Sequence, residues 1–495
     1  MNKVKKLAGQ TILYGLGSII PKLLNFAILT PFYTRIFAPG VYGTVTELYA
    51  YVAILMVVIT FGMETGFFRF AQNKQKIHAV FTSSFVFVAI IAALFVILIQ
   101  LGAGPVSRFI QYDNNPEYIK WFSYIIALDA LAALPFAKLR QQEKALKFAI
   151  LKMLNVLVNI GLVIFFFVIW PKLWAASPDS GINSLYDPKM GVGYVFIANL
   201  FTSAIVLLLL SNELKDLKGP VQGKVLKDLI KYSAPIVIIG IAGSINEVAD
   251  KIMLKFWLPD SVEAMDVVGI YGASYKIAVL MTLFIQMFRY AFEPFLFAQS
   301  KAKDAKRLYA QILEIFFSLG LVIFLGVMFY MDFVKYYIDP KFWEGLKIVP
   351  IILLANLFLG VFYNLSVWYK IKDLTKYGAW LAVAGAIVTI VLNAVLIPII
   401  GFMGSAWATI ACYTLMMIGS YLWGRKIYPV PYRIDRILIN LGLALLLFGI
   451  SVVLRPENMI PRLVFNTALL IVFLFWIERQ QQLIRNFLPI RRRNK

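Results

Sequence analysis

One cysteine, Cys412, and one histidine, His78, are all that 495 residues contain of the two side chains most often found on transition metals. No intrachain disulfide can form, and no Cys/His zinc constellation is available. Charge is scarce too: Asp, Glu, Lys and Arg make up 15% of the chain, against roughly a quarter in soluble domains. Acid is the scarcer sign, with 26 Asp+Glu against 48 Lys+Arg and a formal net charge of +22. There is also no convincing small-residue cleavage site after the basic start "MNKVKKLAGQTILYGLG", so this segment reads as a retained first helix rather than a signal peptide.

What replaces the missing polarity is apolar: 61% of residues are hydrophobic and the mean hydropathy is +0.78. Runs such as "SFVFVAIIAALFVILIQLG" (84–102) reach the ~20 residues that carry a helix across a hydrocarbon core. The chain is therefore expected to be an all-α integral membrane protein with about fourteen transmembrane helices, the first near 10–30, the seventh near 232–257 and the last near 461–478. Two thirds of the 48 Lys+Arg fall in the two termini and the even-numbered connections. Basic residues collect in cytoplasmic loops, so both termini are expected in the cytoplasm. The positive charge is then loop charge and the "RNFLPIRRRNK" tail lying against anionic lipid. It is scattered over short segments with no recognition module, which excludes nucleic acid as a partner.

An internal repeat organises the chain. "VYGTVTELYAYVAIL" (41–55) recurs as "IYGASYKIAVLMTLF" (270–284), "GSII" (17–20) as "GSIN" (243–246), and "KFAILK" (147–152) as "KYGAWL" (376–381). Each copy covers six helices, an even number, so both enter the membrane from the same side. Two parallel six-helix lobes related by a pseudo-two-fold axis along the membrane normal are expected, with a shared cavity between them. The divisions are an N-terminal lobe at 1–210, a cytoplasmic linker at 211–231, a C-terminal lobe at 232–423, and helices 13 and 14 with a basic tail at 424–495.

Charges inside the helices are the candidate site. "SINEVADKIMLKFW" (244–257) carries Glu247, Asp250, Lys251 and Lys255, and helical spacing lines up Glu247, Lys251 and Lys255 with Asp250 beside them. A charge at the bilayer centre costs about 2.5–3.5 kcal/mol even on the mild insertion scale, so this stripe is expected to face the cavity. The plainer alternative is that Glu247 and Lys251 simply pair at i, i+4. Lys22, Lys276 and Arg289 are further cavity cations, with Lys152 closer to a helix end; Asp129 and Glu293 join Glu247 and Asp250 as pairing or coupling acids. Cations from both halves favour an anionic ligand. Pro21, Pro235 and Pro294, with Gly240 and Gly243, are expected bend points.

The stretches "YTRIFAPGVYGTVTELYAYVAIL", "VVGIYGASYKIAVLMTLF", "FRYAFEPFLFAQSK" and "WYKIKDLTKYGAW" resemble the polysaccharide (O-antigen, Wzx-type) flippases of the multidrug/oligosaccharidyl-lipid/polysaccharide exporter superfamily, over essentially the whole chain. The resemblance implies a multi-pass protein of the bacterial inner membrane that moves an undecaprenyl-pyrophosphate-linked oligosaccharide outward by alternating access, with other polysaccharide-assembly proteins as further partners. It also implies a cationic central cavity, which Lys22, Lys251 and Arg289 would fit. No cofactor is expected; coupling to H+ or Na+ stays open. Related lipid II flippases carry an arginine-rich first helix, where this chain has only Lys22 and Arg35. A multidrug cation antiporter would have an acid-dominated cavity and typically twelve helices. A membrane glycosyltransferase or polymerase would need a catalytic acid or base on a sizeable external loop, and 171–189 offers only Asp179 and Asp187. The chain is therefore not expected to be an enzyme.

Overall fold

The computed structural model describes residues 2–72, 76–178, 181–259, 263–299, 302 and 304–481. Among these the chain is helical throughout, with no strand. Fourteen principal helices follow in order: α1 (Asn2–Ile36), α2 (Pro39–Thr60), α3 (Ile77–Phe109), α4 (Pro116–Gln141), α5 (Ala145–Ile164), α6 (Gly193–Leu209), α7 (Gly223–Trp257), α8 (Ala264–Ala298), α9 (Ala305–Phe329), α10 (Val349–Leu365), α11 (Lys376–Ile400), α12 (Phe402–Ile427), α13 (Ile434–Val453) and α14 (Met459–Gln481). Twelve helical segments are long and apolar enough to cross a membrane. The other two of the fourteen are α6, apolar but only 17 residues long, and α7, which has 35 residues but carries the charged stretch. This is a multi-pass membrane protein.

Local chemistry sets the helix boundaries. Proline opens α2 and α4 at the first turn, where its missing N–H would have had no partner anyway. Phe61 and Gly62, both at positive φ (49° and 63°), separate α2 from a short helix, Met63–Phe70. A π-turn at Phe165–Ile169 continues α5 into Trp170–Ala176. The expected bend points Pro21 and Pro235 lie inside unbroken helices; the side chain of Pro294 lies outside the described residues.

Contacts gather the chain into two units, Met1–Phe256 with Asp260–Gly269, and Trp257–Pro259 with Ile270–Lys495. In the first, α3 packs on α4, α1 on α5, and α6 on both α4 and α5. In the second, α9 packs on α10, and α12 on both α10 and α11. The pairings α3/α4, α4/α6 and α5/α6 thus reappear as α9/α10, α10/α12 and α11/α12, in the register of the sequence repeat. Helix α7, which the repeat assigns to the second half, packs within the first unit. Val225 and Leu229 join the core of Ile59, Met63, Phe67 and Phe81, and Ser244 Oγ donates to the Ala53 carbonyl at 3.4 Å.

Helices 13 and 14 dock on α9 within the second unit. Lipid gives helices no hydrophobic reason to associate, so buried hydrogen bonds and close packing must do it. Asn440 donates to Ser318 Oγ (3.2 Å) and receives Trp476 Nε1 (3.0 Å). Asn466 receives Ser451 Oγ (2.7 Å) and donates to the Phe329 carbonyl (2.8 Å). Glu314, buried in α9, accepts from Arg436 at 3.2 Å.

Within each unit, ion pairs and hydrogen bonds tie connections to one another. In the first unit Arg140 meets Glu64 at 2.8 Å, Lys138 meets Asp216 and Lys147 meets Glu213, both at 2.6 Å. These bonds join the second, fourth and sixth connections. Elsewhere in this unit Lys255 donates to the Ile110 carbonyl at 2.6 Å, joining the outgoing end of α7 to the third connection. In the second unit, Arg455 and Arg462 join Asp332, linking the ninth and thirteenth.

Candidate functional site

Helix α7 splits the expected charge stripe. Lys251 is half-buried, its Nζ 2.9 Å from Asp250 Oδ1 and 2.9 Å from the Glu247 carbonyl. The carboxylate beside it is Asp250, whereas Glu247, expected from spacing as the i−4 partner, offers its backbone carbonyl and has an exposed side chain. Lys255 departs further. Its side chain is 4% exposed and lies 3.1 Å from Glu47 Oε2, which is fully buried. It also sits 3.8 Å from the centre of the Tyr112 ring, while Tyr112 and Tyr51 both donate to Glu47, at 2.6 and 3.3 Å. The reason is geometric: each i+4 step turns about 40° further round the helix, so Lys255 stands about 80° from Glu247. It belongs to an interior ion pair of the first unit, a correction to its placement on a cavity-facing stripe.

Glu47 is the residue sequence reading passed over. Its signal was an acid in the otherwise apolar run of α2, which demands a partner by the same argument that singled out Lys251.

A second polar group in the first unit surrounds Asp129. The carboxyl of Asp129 in α4 lies beside Ser203 of α6 and feels the charge of Lys152 in α5. Ser203 donates to Asn199 Oδ1 at 3.4 Å, and Asn199 donates to the Tyr49 hydroxyl. The Lys152 ammonium lies over Phe136, 4.0 Å from the ring centre. Neither Asn199 nor Ser203 stood out in the sequence, since small polar residues in membrane helices most often serve packing. Lys22 stands exposed on α1.

In the second unit, the half-buried Arg289 of α8 stacks on Tyr363 of α10, its guanidinium carbon 4.2 Å from the ring centre. A small cavity beside it is lined by Phe288, Phe292, Tyr363 and Asn364. Lys276 is exposed on α8; the side chain of Glu293 lies outside the described residues, as does Asp179. Asp187 accepts from the backbone of Lys189 at 2.8 Å and caps a 3-10 turn, a structural use of the remaining acid of that loop. Among the described residues no three His, Cys, Asp or Glu side chains gather as a metal would require.

The arrangement holds paired cations in otherwise apolar helices: Lys251 beside a carboxylate and Arg289 on an aromatic face. Such groups can meet an anion, and a guanidinium can do so with two hydrogen bonds at once.

Solved structures of similar fold include the lipid II flippase MurJ in an inward closed conformation, matched with a TM-score of 0.73 at 14% identity over 95% of this chain and 99% of that one. A multidrug resistance MATE family transporter of the MOP superfamily, inward-facing, matches with a TM-score of 0.66 at 14% identity over 84% of this chain and 97% of that one. No curated protein matches the chain. The resemblance read from the sequence is borne out in fold by these structures and in family by the match of residues 7–298, well over half the chain, to the family model described as "Polysaccharide biosynthesis protein"; the chain belongs to that family.

Proposed function

We propose that this protein is a flippase that moves a polyprenyl-pyrophosphate-linked oligosaccharide across the bacterial inner membrane by alternating access of its two repeat halves, 1–210 and 232–423, with 424–495 appended. The observation that carries the reading is the pair of cations held within spanning helices of a polysaccharide-biosynthesis protein, Lys251 in α7 and Arg289 in α8. A sugar head cannot cross hydrocarbon unaided, and its pyrophosphate needs cations along the way. Lys22 and Lys276, both exposed, would add to them. The two ends of the chain and the basic connections are assigned to the cytoplasm by the positive-inside bias. Moving a head of about two negative charges outward then gains roughly 4–5 kcal/mol per 100 mV of inside-negative potential, at about 2.3 kcal/mol per charge. Asp129, beside Ser203 and near Tyr49 and Lys152, is the acid we assign to any H+ or Na+ coupling.

Transport of a fluorescent lipid-linked oligosaccharide in proteoliposomes tests this. Arg289→Ala and Lys251→Ala are expected to lose at least tenfold in rate at unchanged protein level, with Arg289→Lys and Lys251→Arg retaining part of it. Because Asp250 is the carboxylate beside Lys251, the double variant Asp250→Asn/Lys251→Met separates the roles. Recovered transport in the double would reduce Lys251 to a structural pair and remove it from the substrate path.

A second reading, flipping of lipid II, is favoured by the MurJ fold covering 95% of the chain against 84% for the MATE transporter. Lipid II offered in the same vesicles decides between them.

A further inference from the structure

At the end of the second unit where α9 and α13 finish and α14 begins, a cavity of about 420 Å³ is lined by Asp332, Lys335, Trp343, Phe448, Arg455 and Arg462 among others. One carboxylate faces three cations there. Asp332 is 2.7 Å from Arg462 Nη1, 3.2 Å from Arg455 Nη2 and 3.6 Å from Lys335 Nζ.

The three cations are not equally committed. Arg462 also donates to its own chain, with Nε on the Pro456 carbonyl at 2.9 Å and Nη2 on the Glu457 carbonyl at 2.6 Å. Arg455 is 57% exposed. Lys335 lies 4.7 Å from the centre of the Trp343 ring, an aromatic wall beside a charge. One carboxylate cannot neutralise the group, and the surplus positive charge at the mouth belongs to Arg455 and Lys335.

The cavity opens beside apolar surface. Val452, Val453, Ile460 and Val464 are 57%, 80%, 76% and 66% exposed on the adjoining ends of α13 and α14, surface that a spanning helix turns to acyl chains. A ligand satisfying both halves of this site carries a phosphate and a hydrocarbon tail: the phosphate meets a guanidinium fork and an ammonium, and the tail lies along the valines. We propose that this cavity binds the phosphate of an anionic lipid through Lys335 and Arg455. None of its residues is among those assigned to transport, so the site stands whether or not the transport reading does. Ionised Asp332 sets its geometry by holding all three cations in place.

The test uses purified full-length protein in detergent, with phosphatidylglycerol, phosphatidylcholine, undecaprenyl phosphate or inorganic phosphate added, read by native mass spectrometry and thermal unfolding. Phosphatidylglycerol or undecaprenyl phosphate is expected to remain bound and raise Tm, and which binds tighter identifies the source of the phosphate. Lys335→Gln/Arg455→Gln is expected to weaken that binding at least tenfold. Lys347→Gln, which removes one charge from a side chain 65% exposed and outside the cavity lining, should leave it unchanged. Equal binding of phosphatidylcholine, a full Tm shift from inorganic phosphate alone, or undiminished lipid binding by the double variant would each overturn the proposal.

Discussion

Lys255 exchanges its hydration for a carboxylate, a carbonyl and an aromatic face, and Glu47 accepts bonds from the lysine and two tyrosines. Removing one partner leaves the other charge buried, a loss of about 3–5 kcal/mol for a pair of this kind. Lys255→Met is therefore expected to lower Tm sharply, and Glu47→Gln/Lys255→Met to recover most of the loss, as read by thermal unfolding in detergent. A weaker and different dependence holds at Glu213. Burial alone pushes this carboxyl up, but the hydrogen bond from Lys147 and the charges of Lys144 and Lys138 outweigh it and hold it below its ordinary value. A carboxyl held low stabilises the fold above its unfolded value, near about 4.3, and that contribution is lost as pH falls through the lower folded value. Glu213→Gln should be less stable than the parent at pH 7, with the gap closing below about pH 4 in unfolding curves. At this scale the sequence revealed which residues are costly and not which ones meet. Lys251 and Lys255 were both legible as charges needing partners; that the partners are Asp250 and Glu47 depended on helix rotation and on a packing of α2 against α7 that no spacing encodes.

Helices α2 and α8 begin against one another within the first unit. A Cβ added at Gly269 would overlap the Pro39 carbonyl oxygen, and one at Gly43 would overlap that of Met265. These contacts are with backbone, which cannot swing aside as a side chain can. Gly269→Ala or Gly43→Ala must part the two helix ends, and each is expected to lower Tm by several degrees, whereas Gly102→Ala, with nothing within 4 Å of the added atom, should not. Elements were the most legible level of this chain. Long apolar runs gave helix existence, and α7 was expected near 232–257 despite the charges it carries. The π-turn at Phe165–Ile169 was not legible, because the run "FFFVI" is equally apolar in either winding.

At the scale of the molecule, the bonds between connections can be followed within the first unit. Its even-numbered connections are bonded to one another, and the outgoing end of α7 is bonded to the third connection. A reporter inserted within 215–222 is expected to report the cytoplasm and one within 181–187 the opposite side; the reverse pattern, or one side for both, would undo the orientation. The division into parts was less legible: the repeat places α7 with the second half, while its contacts lie in the first, since a repeat records ancestry and packing records the present neighbours. The docking of α13 on α9 has a further meaning in time. Glu314 and its partner Arg436 are 122 residues apart, and at roughly 5–20 residues per second of synthesis the acid emerges some 6–24 s before the arginine exists. Newborn α9 therefore waits for the Arg436 guanidinium and the Asn440 amide, and a ribosome that stalls before residue 436 leaves a chain in which α13 cannot yet make either bond to α9.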